Sequence, residues 1–181
     1  TFINRHIEQL FGGQTCVLCG RFDGQNPLDK PVFERRARLS AADKLRAPFA
    51  MGWNAATEGT GRLPFGDNRR ALVDWLRAQQ VEVILAEFGT QALVVAKLAT
   101  ELGLPVFSYF RGTDASRALG SRQRVRAYRR MMPRLDGIFA VSQFLLDNLA
   151  RHGVRVQPAV GQQRDRQLHQ DRAAPAGPYR A

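Results

Sequence analysis

The stretch VEVILAEFGTQALVVAKLATELGLPVFSYFRGTDAS, residues 81–116, decides the fold class. It opens with a mostly apolar run, Val81–Glu87, of strand length and character. From Gly89 to Leu102 the residues Ala92, Val95, Ala96, Ala99 and Leu102 fall on one helical stripe, which Gly103 ends. Pro105–Phe110 is a second apolar run of strand length. Strand, short polar loop, helix and strand in that order make a βαβ unit. The same alternation extends both ways. Upstream, Arg69–Gln80 reads as a helix with Leu72, Val73 and Leu76 inward, and Asp67-Asn68 offers its N-cap. Downstream, Ser121–Met132 reads as a helix with Val125, Tyr128 and Met132 on one face. Gly137–Val141 is a further strand, and Ser142 caps a helix running to His152, with Gly153 just past its end. A unit repeating every roughly 25–30 residues predicts parallel strands with helices on both faces, a doubly wound α/β fold.

The ends are less regular. Phe2–Phe11 carries apolar residues at 3, 7, 10 and 11, which is helical spacing, and Gly12-Gly13 stops it before a short strand at Thr15–Cys19. Residues 22–68 mix glycine, proline and charge and read as loops with minor elements, including a short helix around Ala41–Arg46. Residues 155–181 are rich in Gln, Pro, Ala and Arg, with Leu168 their single leucine, and are expected to be disordered.

Of the 181 residues, 44% are hydrophobic, 27 are basic and 16 are acidic, so the formal net charge is +11. No repeat or low-complexity tract dominates, which excludes collagen-like, mucin-like and coiled-coil classes. No stretch reaches the roughly 20 apolar residues that span a bilayer. No basic-then-apolar leader opens the sequence at Thr1. Residues 1–114 are nearly balanced, with 14 basic and 12 acidic side chains, whereas residues 115–181 hold 13 basic and 4 acidic. The excess therefore sits in the C-terminal part, where it attracts phosphate-bearing partners without choosing among them. Arginine supplies 24 of the 27 basic residues, which also suits a G+C-rich coding bias. Cys16 and Cys19 lie on a strand, where positions i and i+3 point to opposite faces, so they read as small core residues rather than a redox or zinc pair. Reduced thiols suit the cytoplasm.

In open parallel sheets ligands bind outside the carboxyl ends of the strands. Three such loops follow the strands here. They present Glu87, Phe88, Gly89 and Thr90, then Arg111, Gly112, Thr113, Asp114 and Ser116, then Ser142. Gly89 and Gly112 would let a ligand approach the backbone. Plainer readings stand beside these: Asp114 and Ser116 suit caps of the next helix, Arg111 suits an ion pair with Glu87 or Asp114, and Phe88 suits the core. His6, His152 and His169 lie outside the three loops, which argues against a histidine triad or a zinc site. No phosphate-binding P-loop, dinucleotide fingerprint or nucleophile elbow is present.

Residues 84–92 (ILAEFGTQA), 104–116 (LPVFSYFRGTDAS) and 134–145 (RLDGIFAVSQFL), in that order, resemble the N-terminal, acceptor-side domain of family 4 glycosyltransferases with the GT-B fold. The opening TFINRHIE is similar to the helix that follows that family's first loop. The resemblance spans 1–154 and implies a Rossmann-like half of a GT-B enzyme whose first strand is missing, with 155–181 a disordered or aberrant tail. It implies a retaining glycosyltransferase of bacterial polysaccharide biosynthesis that moves a sugar from a nucleotide-sugar donor to a glycan or lipid-linked acceptor. No other cofactor and no metal is implied. Asp114 and Arg111 become the catalytic candidates, and Glu87, Phe88, Gly89, Thr90, Gly112, Ser116 and Ser142 the substrate-binding ones.

Members commonly have His-Ala-His-Phe-Gly in place of Leu85–Gly89 and Phe-His-Gly-x-Asp in place of Phe110–Asp114. Arg111 stands where a histidine is usual and does not titrate near neutral pH, which counts against an acid–base role there. The family's second domain carries two Glu separated by seven residues, and no such pair occurs here. The expectation is therefore a fragment, catalytically silent without its donor-binding domain, the product of an interrupted or frame-shifted coding sequence. The helix 121–132, with Arg122, Arg124, Arg126, Arg129 and Arg130, has an apolar stripe and a basic side, which suits peripheral contact with an anionic membrane at its inner face. The alternative is a basic α/β module that holds RNA or another polyanion without catalysis. Few aromatic residues interleave with those arginines, so nucleic acid is the weaker partner.

Overall fold

The computed structural model describes residues 2–21, 28–35 and 40–155. The tail expected to be disordered, from residue 156 onward, lies outside the described residues, as does His169.

The described chain is α/β with parallel sheets. Helix α1 (Phe2–Gln9) runs into a 3-10 turn at Leu10–Gly13, then β1 (Val17–Cys19) and β2 (Val32–Glu34). Helices α2 (Ala41–Glu58) and α3 (Gly66–Ala78) follow. Then come β3 (Ile84–Ala86), α4 (Gly89–Leu102), β4 (Val106–Phe110), two 3-10 turns at Gly112–Asp114 and Arg117–Gly120, and α5 (Arg122–Met131). A last 3-10 turn leads to β5 (Gly137–Ala140) and α6 (Gln143–Arg151). The strands form two parallel sheets, β1-β2 and β3-β4-β5, rather than one continuous sheet among the described residues. Register is set by Ile84 opposite Val106 and by Phe107 opposite Gly137. All three strands of the larger sheet run the same way, so their carboxyl ends share one edge.

Strand β4 shows how the sequence places the core. Val106, Ser108 and Phe110 are buried, and Phe107 and Tyr109 alternate onto the other face. The buried set meets α4, α5 and α6 in one apolar cluster that includes Ala92, Val95, Ala99, Tyr128, Met131 and Leu149. Helix α4 is buried nearly all round because it also faces a second cluster, where Leu98 meets Phe33, Leu72 and Leu76. On the opposite face of the sheet, Tyr109 stacks on Phe139 at 5.8 Å between centroids, and α1 brings the His6 ring to 5.6 Å from Tyr109.

The interval 22–68 departs most from expectation. Where loops and a short helix at Ala41–Arg46 were read, the chain forms strand β2 and the 18-residue helix α2. The inward apolar rhythm that marks a helix is absent from α2 because its large apolar residues point outward. Its ends are held by other means. Ser40 accepts the Asp43 N–H at the start, and at the finish Gly59, at φ +77°, lets the chain pass close to α5, where a Cβ would stand 2.9 Å from the Ala127 Cα and would not fit. Asp67-Asn68 does not cap α3. Helix α3 starts one residue earlier, and the buried Asp43 carboxylate accepts the N–H groups of Asp67 (3.1 Å) and Asn68 (3.0 Å) from 24 and 25 residues upstream.

The apolar stripe of α5 is also spent inside the molecule, since Ala127, Tyr128 and Met131 are buried in the core. Outside, α5 presents Arg122, Arg126, Arg129 and Arg130 as exposed side chains, with Val125 half-buried among them.

Glu58, at the end of α2, receives Arg134 at 2.6 Å and Lys97 at 2.9 Å, tying α2 to α4 and to the segment before β5. The Arg134 hydrogen bond, aided by Lys97, holds its carboxyl below the ordinary 4.5 against the opposing effect of burial. A depressed carboxylate stabilises the fold above its unfolded-state value, and that stability is lost as pH falls through the folded value. Glu58→Gln is expected to cost about 1 kcal/mol at neutral pH and to flatten the loss of stability below pH 4.5, read as urea unfolding at pH 7 and pH 3.5. Equal acid sensitivity in variant and parent would contradict this role.

Candidate functional site

Three loops leave the carboxyl edge of β3, β4 and β5 side by side because the strands are parallel and adjacent. The first carries Glu87, the second Arg111 and the third Ser142. The Arg111 guanidinium donates to Glu87 Oε2 at 2.6 Å. It also lies 4.9 Å from the Tyr109 ring centroid and 5.5 Å from that of Phe88. Two aromatic faces and one carboxylate thus fix a cation in place.

A third group enters from the first helix. His6 Nδ1 is 2.7 Å from Glu87 Oε1, so Glu87 is gripped from both sides. The expectation that His6 stands apart from the three loops is corrected here. It was missed because 81 residues separate the partners. The available signal was its helical position, three residues after Ile3 and four before Leu10, on the inward face of α1. His152, by contrast, turns back on Asn148 in its own helix.

Asp114 lies beneath this cluster. It is 3% exposed, and its two oxygens accept the N–H groups of Gly89 (Oδ2, 2.8 Å) and Arg111 (Oδ1, 2.8 Å). Burial pushes its carboxyl up, and the backbone N–H bonds pull it partly back. The carboxylate therefore joins the first turn of α4 to the start of the Arg111 loop. The remaining sequence candidates fall into two groups. Gly89 is buried under the Phe110 ring rather than open to a ligand, and Ser116 Oγ donates to the Gly112 carbonyl at 2.5 Å within its own turn. Phe88 and Thr90 are half-buried, while Gly112 and Ser142 are exposed at the same edge. Ser142 occupies the N-cap position of α6, yet its side chain makes no cap bond, which leaves the hydroxyl facing outward.

Both thiols are free and half-buried, Cys16 just before β1 and Cys19 at its end. Burial pushes both thiols up, and Glu34 adds to the effect at Cys19, so they are protonated at neutral pH. Among the described residues no group of three or more His, Cys, Asp or Glu is arranged to hold a metal ion. No described helix is long and apolar enough to cross a membrane.

Chemically, the edge offers a fixed carboxylate and guanidinium for hydroxyl groups, flanked by aromatic rings. A guanidinium stays charged, so it can hold or stabilise negative charge but cannot relay a proton at neutral pH. Residues 11–160 match the family model described as a glycosyl transferase 4-like domain. No match was found among curated proteins or among solved structures.

Proposed function

The chain belongs to the glycosyl transferase 4-like domain family, and from that premise we propose that its strand-end edge binds the sugar acceptor of a retaining glycosyl transfer. The donor would be a nucleotide-sugar held by a partner domain, and the acceptor a glycan or lipid-linked saccharide of bacterial polysaccharide biosynthesis. The cytoplasmic side of the cell membrane is where such donors and acceptors meet.

The observation that supports this is the His6–Glu87–Arg111 cluster between Phe88 and Tyr109. Saccharides present hydroxyl groups at their rims and C–H groups on their faces. Glu87 and Arg111 suit the former, and the exposed parts of the aromatic rings suit the latter. In this reading Arg111 contacts the acceptor or the leaving phosphate and acts by charge. Asp114 is a positioning residue that holds Arg111 and the start of α4. Glu87 and Ser142 bind hydroxyls, and Gly112 and Thr90 leave room at the rim.

The test is binding of the full chain to an array of bacterial surface oligosaccharides. Binding to at least one glycan class is expected, with Arg111→Gln weakening it about tenfold while the fold persists. Absence of binding to every glycan, or indifference to Arg111→Gln, contradicts the reading.

A second reading has its own support. A groove of about 510 Å³ between α5 and α6 is lined by Arg122, Arg126, Arg129 and Arg151 over an apolar floor of Leu119 and Val125. Such a groove suits a polyanion. RNA binding by the chain that weakens steeply with salt, in the absence of glycan binding, would favour this reading over the first.

A further inference from the structure

The large apolar residues of α2 face solvent. Leu45 is 82% exposed, Phe49 86% and Trp53 71%, and their spacing of four residues puts them on one stripe of the helix. Met51, 49% exposed, lies on the other side of the helix, against Gly61. The stripe runs about 12 Å along the axis. This stripe is separate from both the strand-end edge and the groove between α5 and α6.

We propose that α2 is the membrane-contacting element of this chain, inserting Leu45, Phe49 and Trp53 into the interface of a bilayer that carries anionic lipids.

Charge complementarity selects this occupant. The exposed charges of α2 are Lys44 and Arg46, while its acids are withdrawn: Asp43 is buried at the start of α3, and Glu58 is paired with Arg134 and Lys97. A Leu–Phe–Trp stripe on a helix whose exposed charges, Lys44 and Arg46, are both basic has the composition of an in-plane interfacial helix. The helix is also mounted rigidly. Arg130 of α5 donates to the carbonyls of Ala56 and Thr57, and Gly59 packs on Ala127, so the stripe is displayed without unfolding its base. A second copy of the chain fits less well. The three side chains of the stripe, with the aromatic ones contributing about 200 Å² each, fall short of the roughly 800 Å² per partner that a stable dimer buries.

The proposal rests on nothing in the glycosyl-transfer reading, so each can fail alone: vesicle binding needs no sugar, and the glycan array needs no lipid. The experiment is sedimentation of the full chain with phosphatidylcholine vesicles, with and without phosphatidylglycerol. Fluorescence of Trp53 is followed in a Trp75→Phe background. Binding to the anionic vesicles is expected, with a blue shift of Trp53 and quenching by lipids brominated along the acyl chain. Phe49→Ser with Trp53→Ser is expected to weaken binding at least tenfold, and because both residues are exposed, the circular dichroism should not change. Lys44→Gln with Arg46→Gln is expected to weaken it several-fold and to reduce its salt dependence. Three results would overturn the proposal: no binding to anionic vesicles, binding indifferent to loss of Phe49 and Trp53, or self-association of the parent chain that the same two changes abolish.

Discussion

Asp114→Ala is expected to destabilise the chain by about 3 kcal/mol, read as the midpoint shift in urea unfolding at constant slope. Both carboxylate oxygens accept backbone N–H groups, and alanine would leave the Gly89 and Arg111 donors buried without that partner. Each orphaned donor costs about 1–3 kcal/mol. The loss also reaches the surface. With its clamp gone, the Arg111 loop no longer fixes the guanidinium against Glu87, so glycan binding should fall together with stability. Asp114→Asn keeps one carbonyl oxygen and is expected to recover part of both. A shift below about 0.5 kcal/mol for alanine would show that the carboxylate does not hold the two elements together.

Gly89→Ala is expected to cost a comparable amount, about 3 kcal/mol, through a different mechanism. A Cβ at this position would stand 2.2 Å from Cε1 and 2.5 Å from Cζ of Phe110. The Phe110 ring cannot retreat, because it is fully buried and meets Tyr128 edge-on at 5.6 Å between centroids. The added methyl must push apart the start of α4 and the end of β4. Phe110→Leu in the same chain should relieve the crowding, so the double change is expected to cost less than the sum of the two single ones. Strict additivity would mean that the Cβ finds room elsewhere.

The elements that sequence made legible are those whose apolar residues face the core. Leu72, Val73 and Leu76 of α3 and Ala92, Val95, Ala96 and Ala99 of α4 are buried where periodicity put them. Helix α2 was illegible for the converse reason, since Leu45, Phe49 and Trp53 point outward and Pro48 interrupts its middle. Periodicity reports burial, and a helix that does not bury its stripe leaves no such record.

The site divides along a similar line. Glu87, Arg111 and Asp114 were legible because loops at the ends of parallel strands must share an edge. The pairing of Arg111 with Glu87 follows from the cost of leaving Glu87 half-buried and alone. His6 and the Asp43 cap depend on contacts between distant segments, which no local pattern encodes. Gly89 carried a real signal with two physical readings, close approach by a ligand or by a side chain, and the Phe110 ring occupies that space.

The most direct test of the central claim is to map where a saccharide lands. Titrating the full chain with an oligosaccharide found on the array, while recording amide shifts by two-dimensional nuclear magnetic resonance, should perturb residues 87–90, 111–116 and 142 as one group. Glu87→Gln should weaken that response about tenfold. Shifts confined to the groove between α5 and α6, with the strand-end loops unmoved, would contradict the account.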